Sequence, residues 1–225
     1  IYFFPEYLKL YETNKSKGKC FIYNDEDKIF FYTFIVRDIE NEKNLKDIIT
    51  PYGYGGPICN SKDKKFINFA IKLLYKKLME MDVVAELIKF HPLIKNHEFL
   101  IDCYPGQIKK ICNTVYVDLL NISDEHRWKN VYSHANRKKI NKALKNKINI
   151  KFSNSTDYFE KFKEIYELNL KDNKANKRYF FNEDYYKKIK ESLSDNFVLA
   201  NAFYENKISS SQLLIYGKKF VHCHL

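Results

Sequence analysis

The sequence predicts an α/β protein built from two tandem halves, and three observations carry that reading. Apolar residues recur every three to four positions over 61–81, which is a helical spacing. Short aromatic-rich runs at 29–36 and 197–204 are bounded by polar turns, which is a strand pattern. The pattern Tyr-Phe-Phe-x-Glu occurs at Tyr2 and again at Tyr179. Each copy opens a helix, then a polar gap, then an aromatic-rich hairpin, so the order of elements repeats along with the motif.

Taken in order, Pro5 suits the first position of a short helix that exposes Tyr7, Leu8, Leu10 and Tyr11 to packing. Cys20 to Tyr23 and Ile29 to Val36 read as strands joined by Asn24-Asp25-Glu26-Asp27-Lys28. Ser61 to Met81 reads as a helix through Phe66, Phe69, Ala70, Leu73, Leu74 and Leu78. Val83 to Phe90 is a strand leading into His91-Pro92, and Phe99 to Cys103 and Thr114 to Leu120 are two further strands. Asp124 to Lys147 is helical and basic, with no acid between Glu125 and Asp157. Ile148 to Phe152 is a strand and Thr156 to Leu170 a helix. The helix opened at Tyr179 is followed by strands Phe197 to Tyr204, Ile208 to Tyr216 and Phe220 to Leu225.

The chain is organised around Asp47-Ile48-Ile49-Thr50-Pro51-Tyr52-Gly53-Tyr54-Gly55-Gly56-Pro57. The whole sequence holds 6 Gly and 5 Pro, and this loop takes three and two of them. Glycine permits positive φ and close backbone approach, and the prolines stiffen the ends. Tyr52 and Tyr54 offer flat faces with hydroxyls, and the helix that follows suits an anion at the loop. Two readings stand: a substrate loop, or a strand-to-helix turn with its tyrosines packed inward.

Composition sets outer limits. At 45% hydrophobic and 16% aromatic, the 225 residues can bury a core and are not a disordered composition. No apolar run is long enough to span a bilayer and no signal-peptide pattern is present. A net charge of +11 permits a polyanionic partner: nucleic acid, a nucleotide-linked substrate or a peripheral contact with an anionic membrane. A Lys- and Asn-rich composition produces the same charge without any such partner. Cys20, Cys59, Cys103, Cys112 and Cys223 match no zinc spacing, and reduced, mostly buried thiols in a cytoplasmic protein are expected. The first residue is Ile1 and the last lies in an apolar run, so a piece of a longer protein is expected.

Several stretches together resemble a known family. They are DIITPYGYGGP at Asp47 to Pro57, VAELIKFHP at Val84 to Pro92 and VYVDL at Val115 to Leu119. SHANRKKINKA at Ser133 to Ala143 and YGKKFVHCHL at Tyr216 to Leu225 complete the set. In this order they are similar to the Fem-type peptidoglycan aminoacyltransferases and their acyltransferase relatives, which are built from two GNAT-like domains. The strand, two helices and three-strand meander of the second half are also the order in which a GNAT domain begins. The resemblance implies mixed, mostly antiparallel sheets flanked by helices. It divides the chain into a first, acceptor-side domain at 1–122, a basic helical linker at 123–146 and the incomplete start of a second domain at 147–225.

It also implies a transferase of cell-wall biogenesis. An acyl or aminoacyl group would pass from acyl-CoA or aminoacyl-tRNA, bound as co-substrate with no tightly held cofactor, to an amino group of an envelope precursor. Such chemistry needs a base for the amine and donors for the tetrahedral oxyanion. His91 follows its strand where compact Fem-type enzymes carry an Asp, and the resemblance implies a base there; the other reading is a His packed before Pro92. Glu86 on the same strand is a second catalytic candidate, in the cleft or paired with a lysine. Tyr52, Tyr54, Gly55, Gly56 and Lys89 would line the acceptor site. Arg178, and more weakly Lys9, match basic residues that hold substrate phosphate, as arginine does in bidentate fashion. His222 and His224 alternate on a strand, so they share one face, where the compact enzymes have tyrosines; they would line the cleft and position the acceptor, or else form a stacked, satisfied pair. No third ligand is spaced to make them a metal site. Arg137, Lys138 and Lys142 would contact tRNA backbone, or else belong to a solvated linker helix. A non-catalytic RNA-binding module and a degenerate transferase scaffold are the alternatives to an enzyme.

Overall fold

The computed structural model describes residues 1–42 and 44–225. In chain order the elements are α1 (Pro5–Lys9), β1 (Ser16–Asp25), β2 (Lys28–Asp38), β3 (Lys46–Ile49), β4 (Ile58–Cys59), α2 (Lys64–Glu80) and β5 (Val83–Leu87). Then come α3 (Asp124–His126), α4 (His134–Lys145), β6 (Asn149–Ser153), α5 (Phe159–Asp172), α6 (Glu183–Ser192), β7 (Phe197–Tyr204), β8 (Lys207–Tyr216) and β9 (Val221–Cys223). The protein is mixed α/β, with two mostly antiparallel sheets flanked by helices. The chain falls into two compact units, 1–111 with 182–195, and 112–181 with 196–225.

In the first unit the strand order is β1-β2-β3-β5, and β4 pairs with the other end of β2. β1, β2 and β3 run antiparallel; β3 and β5 run parallel, with α2 as the crossover between them. Alternation along β2 explains the layering. Phe30, Tyr32, Phe34 and Val36 meet Phe66, Ile67, Ala70, Ile71, Leu74 and Leu78 of α2 in one buried cluster. Thr33 and Ile35 alternate with them and are buried on the opposite face. Tyr7 and Leu8 of α1 are buried as well, and α1 packs on β1 and β2. Asp63 caps α2 by accepting from the backbone N–H groups of Lys65 and Phe66, which fixes the helix start three residues later than the apolar period suggests. Helix α6 packs beside α1 in this unit, where Tyr185 meets Tyr11 at 3.2 Å between hydroxyls.

The second unit carries a four-stranded antiparallel sheet in the order β6-β7-β8-β9. Phe197 and Leu199 of β7 and Leu213 and Ile215 of β8 are buried with Phe159 and Phe162 of α5, which packs on β8.

Three expected elements differ. Residues 99–103, expected as a strand, form a 3-10 turn over Glu98–Leu100 followed by further turns. Leu100 N–H bonds to His97 O, and Cys103 and Tyr104 N–H both bond to Leu100 O. These local bonds place Leu100, fully buried, in the core cluster beneath α2. Residues 114–120 enter no strand among the described residues, and Val115 and Leu120 are at least 90% exposed. A strand pattern without a neighbouring edge has no ladder to join. The single helix expected over 124–147 is broken, because Ser123 and Ser133 each cap a separate start and Tyr132 between them is extended.

Candidate functional site

The glycine-rich loop sits at the carboxyl ends of the parallel strands β3 and β5. Thr50 N–H donates to Leu87 O at 3.2 Å, Lys89 N–H to Thr50 Oγ1 at 3.1 Å, and Gly55 N–H to Lys89 O at 2.8 Å. The loop therefore continues the parallel ladder past the end of β3, with Gly55 bridging Phe90. Gly56 has φ of 90°, and a Cβ there would lie 2.8 Å from Ile88 Cγ2. Gly53 has φ of 99°, and a Cβ there would meet the Tyr2 ring at 2.4 Å. Both positions accept glycine alone.

His91 is 2% exposed beneath this loop. Its Nδ1 lies 3.3 Å from the backbone nitrogens of Leu93 and Ile94 and accepts from both. That is the bonding of an Asx turn made by an imidazole. In the neutral ring the proton therefore sits on Nε2. The ring stacks near Phe3 and tilts against Tyr2 and Tyr54.

Asn96, which the sequence reading did not single out, ties these pieces together. Its Oδ1 accepts from His91 N–H at 2.9 Å, and its Nδ2 donates to Gly55 O and Pro57 O, each at 2.9 Å. It is 4% exposed, so all three bonds replace water. The available signal was an amide side chain closing the turn Pro92-Leu93-Ile94-Lys95-Asn96 after His91.

Glu86 also has its partners, and they are tyrosines instead of a lysine. Tyr32 donates to Oε1 at 2.8 Å; Tyr104 donates to Oε2 at 2.9 Å, and Tyr75 makes a short bond to the same oxygen. Burial, and then the Glu86 charge, push the Tyr32, Tyr75 and Tyr104 hydroxyls above the ordinary phenol range. The carboxylate thus joins β2, β5, α2 and the turn after residue 100.

The residues left facing solvent at the loop are Tyr52, partly Tyr54, and Lys89, whose ammonium lies 5.1 Å from the centre of the Tyr54 ring. Tyr7 donates its hydroxyl to Tyr52 O and shares a bond with Tyr11, which carries the loop's support back to α1. Tyr52, Tyr54, Gly55, Gly56, Lys89 and His91 are thus brought together in one place. Lys9 is exposed in the last turn of α1, and among the described residues no hydrogen bond or ion pair joins it to the loop.

The remaining expected residues belong to the second unit. Arg178 is exposed and lies over the Tyr179 ring, with Nη2 2.9 Å from its hydroxyl. His222 on β9 and His224 just after it are the less exposed positions of an alternating run in which Val221 and Cys223 are exposed. Cys20 and Cys112 are exposed as well and Cys59 and Cys103 only partly covered, so the thiols are not the buried ones expected, because Cys59 and Cys103 only flank the core cluster of the first unit and the other three lie outside it. Burial lowers His222 to about 4, and burial and then His222 lower His224 to about 3, so both rings are neutral at neutral pH. Arg137 donates Nη1 to the Trp128 and Lys129 carbonyls at 2.9 Å each, closing the end of the preceding turn. Lys138 and Lys142 are exposed on α4.

No group of three His, Cys, Asp or Glu among the described residues is placed to hold a metal ion. No helix among them is long and apolar enough to cross a membrane. No protein-family model matches the chain, and no curated protein matches it.

Proposed function

We propose that the chain is an N-acyltransferase of the GNAT or Fem-type class, with two GNAT-like halves. It would act on an amino group of a cell-envelope precursor, using acyl-CoA or aminoacyl-tRNA as donor. The observation that carries the reading is the loop at 50–57, fixed at the carboxyl ends of two parallel neighbours, β3 and β5. In α/β proteins ligands bind outside the carboxyl ends of the strands, which is where this loop lies. The order of elements and the resemblance in the loop and in the Glu86 to Pro92 stretch support the particular chemistry.

In this reading the exposed groups meet the substrates. Lys89 supplies a positive charge beside Tyr54 for a donor or acceptor phosphate. Tyr52 and Tyr54 supply ring faces for a sugar or acyl chain. His91 and Glu86 are positioning residues. The His91 ring caps the turn that carries Asn96, a task an Asp performs equally well with a carboxylate oxygen. This accounts for the resemblance at that position without a shared base. The amine loses its proton to solvent and attacks the carbonyl, the thiolate of CoA or the 3′-terminal oxygen of tRNA leaves, and rate enhancement comes chiefly from holding the amine against the activated carbonyl.

A thermal-shift panel with acetyl-CoA, CoA, tRNA and nucleotide-linked amino-sugar or muropeptide precursors tests the reading. A ligand of the native state raises the unfolding midpoint by mass action. The reading expects a shift with one donor class and one precursor, reduced in the Tyr54→Ala/Lys89→Ala variant. A flat response to every member of the panel overturns it.

A further inference from the structure

A basic cleft lies within the second unit at the end of α4, one turn beyond Lys142. It measures about 640 Å³ and is lined by Lys145, Asn146 and Lys147 at the end of α4, Asn149 and Lys151 on β6, and the β7–β8 hairpin. That volume is within the range of ligand sites. The hairpin contributes Phe203 and Tyr204. Lys151 Nζ lies 5.1 Å from the centre of the Phe203 ring, and Tyr204 is 45% exposed. Lys145, Lys147 and Lys151 form no ion pair among the described residues, and Glu205 is the one acid lining the cleft.

The end of α4 carries the chain into this cleft by the same kind of turn that closes α5 at Lys174. Lys147 has φ of 56°, in the left-handed region that a glycine or asparagine occupies more cheaply at a helix end. Its N–H bonds to Leu144 O and the N–H of Ile148 bonds to Ala143 O, which closes α4 and turns the chain into β6. The cleft thus sets three lysines that form no ion pair beside two aromatic rings.

We propose that this cleft binds single-stranded nucleic acid. Lysines on two walls neutralise successive phosphates, the exposed ring of Tyr204 stacks an unpaired base, and Asn146, Asn149 and Asn206 face the base edges with amides. The concave shape favours a strand over a lipid surface, which needs apolar groups that protrude. A duplex keeps its bases stacked inside and has nothing to offer Tyr204. The inference does not rest on acyl transfer, because binding is read with neither donor nor acceptor present.

The test is fluorescence anisotropy of the intact protein with a short labelled oligo-uridylate, with a duplex of equal length, and with sedimentation on phosphatidylglycerol vesicles alongside. The wild-type protein binds the single strand more tightly than the duplex and does not sediment with the vesicles. The Lys147→Asn/Lys151→Ala variant, in which Asn suits the left-handed position, loses about tenfold in affinity, and its salt slope falls by about 1.4, or ~0.7 per lost phosphate contact. Tyr204→Ala loses about fivefold or more on the single strand alone. A Lys109→Ala/Lys110→Ala variant removes equal charge from exposed positions of the first unit and changes affinity less than about twofold. Equal effects of the two double variants, equal affinity for duplex, or binding to the vesicles instead of the strand overturns the proposal.

Discussion

The Asn96 amide donates to the Gly55 carbonyl at 2.9 Å, across 41 residues of sequence. With its bonds to Pro57 O and from His91 N–H, this one side chain satisfies three buried backbone groups. Asn96→Ala removes the bond from all three. The expected cost is on the order of 2–4 kcal/mol, since each orphaned buried group costs about 1–3 and partial relaxation recovers some of it. Denaturant unfolding reads that loss. A change smaller than about 0.5 kcal/mol means that the loop is held by its ladder bonds alone.

His91 gives a prediction that separates a cap from a base. An Asn can accept from Leu93 and Ile94 N–H as the imidazole Nδ1 does, whereas an Ala cannot. His91→Ala is expected to lose about 1–2 kcal/mol of stability from the cap. His91→Asn is expected to keep most of the stability, most of kcat and the shape of the pH–rate profile. A general base predicts a fall of about 10²–10⁴ in kcat for the same Asn variant.

The Glu86 cluster is testable at alkaline pH. Tyr32, Tyr75 and Tyr104 are held neutral in the folded protein by burial and by the Glu86 charge. Their folded pKa values lie above the unfolded value of about 10. Above that pH the unfolded chain releases protons that the folded chain keeps, so stability falls as pH rises. Ultraviolet titration is expected to show these phenols ionising together with unfolding and not before it. Glu86→Leu strands the Tyr32 hydroxyl, which is fully buried, and is expected to cost about 2–4 kcal/mol. Ordinary ionisation of all tyrosines near pH 10 in a folded protein contradicts the arrangement.

The histidines of β9 act in the opposite pH range. His222 and His224 have folded pKa values of about 4 and about 3, below the ordinary value of 6.5. The unfolded chain therefore takes up protons first as pH falls. Stability from these groups is complete above about pH 6.5 and is lost between there and about pH 3–4, by up to about 1.4 kcal/mol per pH unit for His224. Half-exposed His222 contributes less. A His222→Gln/His224→Gln variant is expected to flatten the curve between pH 6.5 and 4. An unchanged slope assigns acid sensitivity to other groups.

Much of this was legible in the sequence, and the exceptions have physical reasons. Helix α2, both hairpins and the alternation of His222 with Cys223 follow from periodicity, because a long element repeats its signal several times. The turn at 99–103 was not legible, since Phe99, Leu100 and Ile101 form the same apolar run in a strand or in a 3-10 turn that plugs a core. At 114–120 the pattern of a strand is present, but pairing depends on a neighbour that local sequence does not specify. The break at Tyr132 was marked by Ser133, whose capping role shows only once its hydroxyl is seen to accept from Asn136 N–H. At the site, glycine, proline and tyrosine content pointed to the loop. Asn96 was missed because its contacts at Gly55 and Pro57 are remote in sequence. Glu86 was singled out but its partners were not, because a carboxylate that serves three phenols looks the same on paper as one facing a cleft.

The most direct measurement is transfer itself. The purified protein is incubated with radiolabelled acetyl-CoA or aminoacyl-tRNA and a panel of amino-sugar and muropeptide precursors, and label on the acceptor amine is counted. The account predicts transfer with one donor class, reduced at least about tenfold in Tyr54→Ala/Lys89→Ala without loss of fold. Absence of transfer with every donor and acceptor, or full activity in that variant, contradicts it.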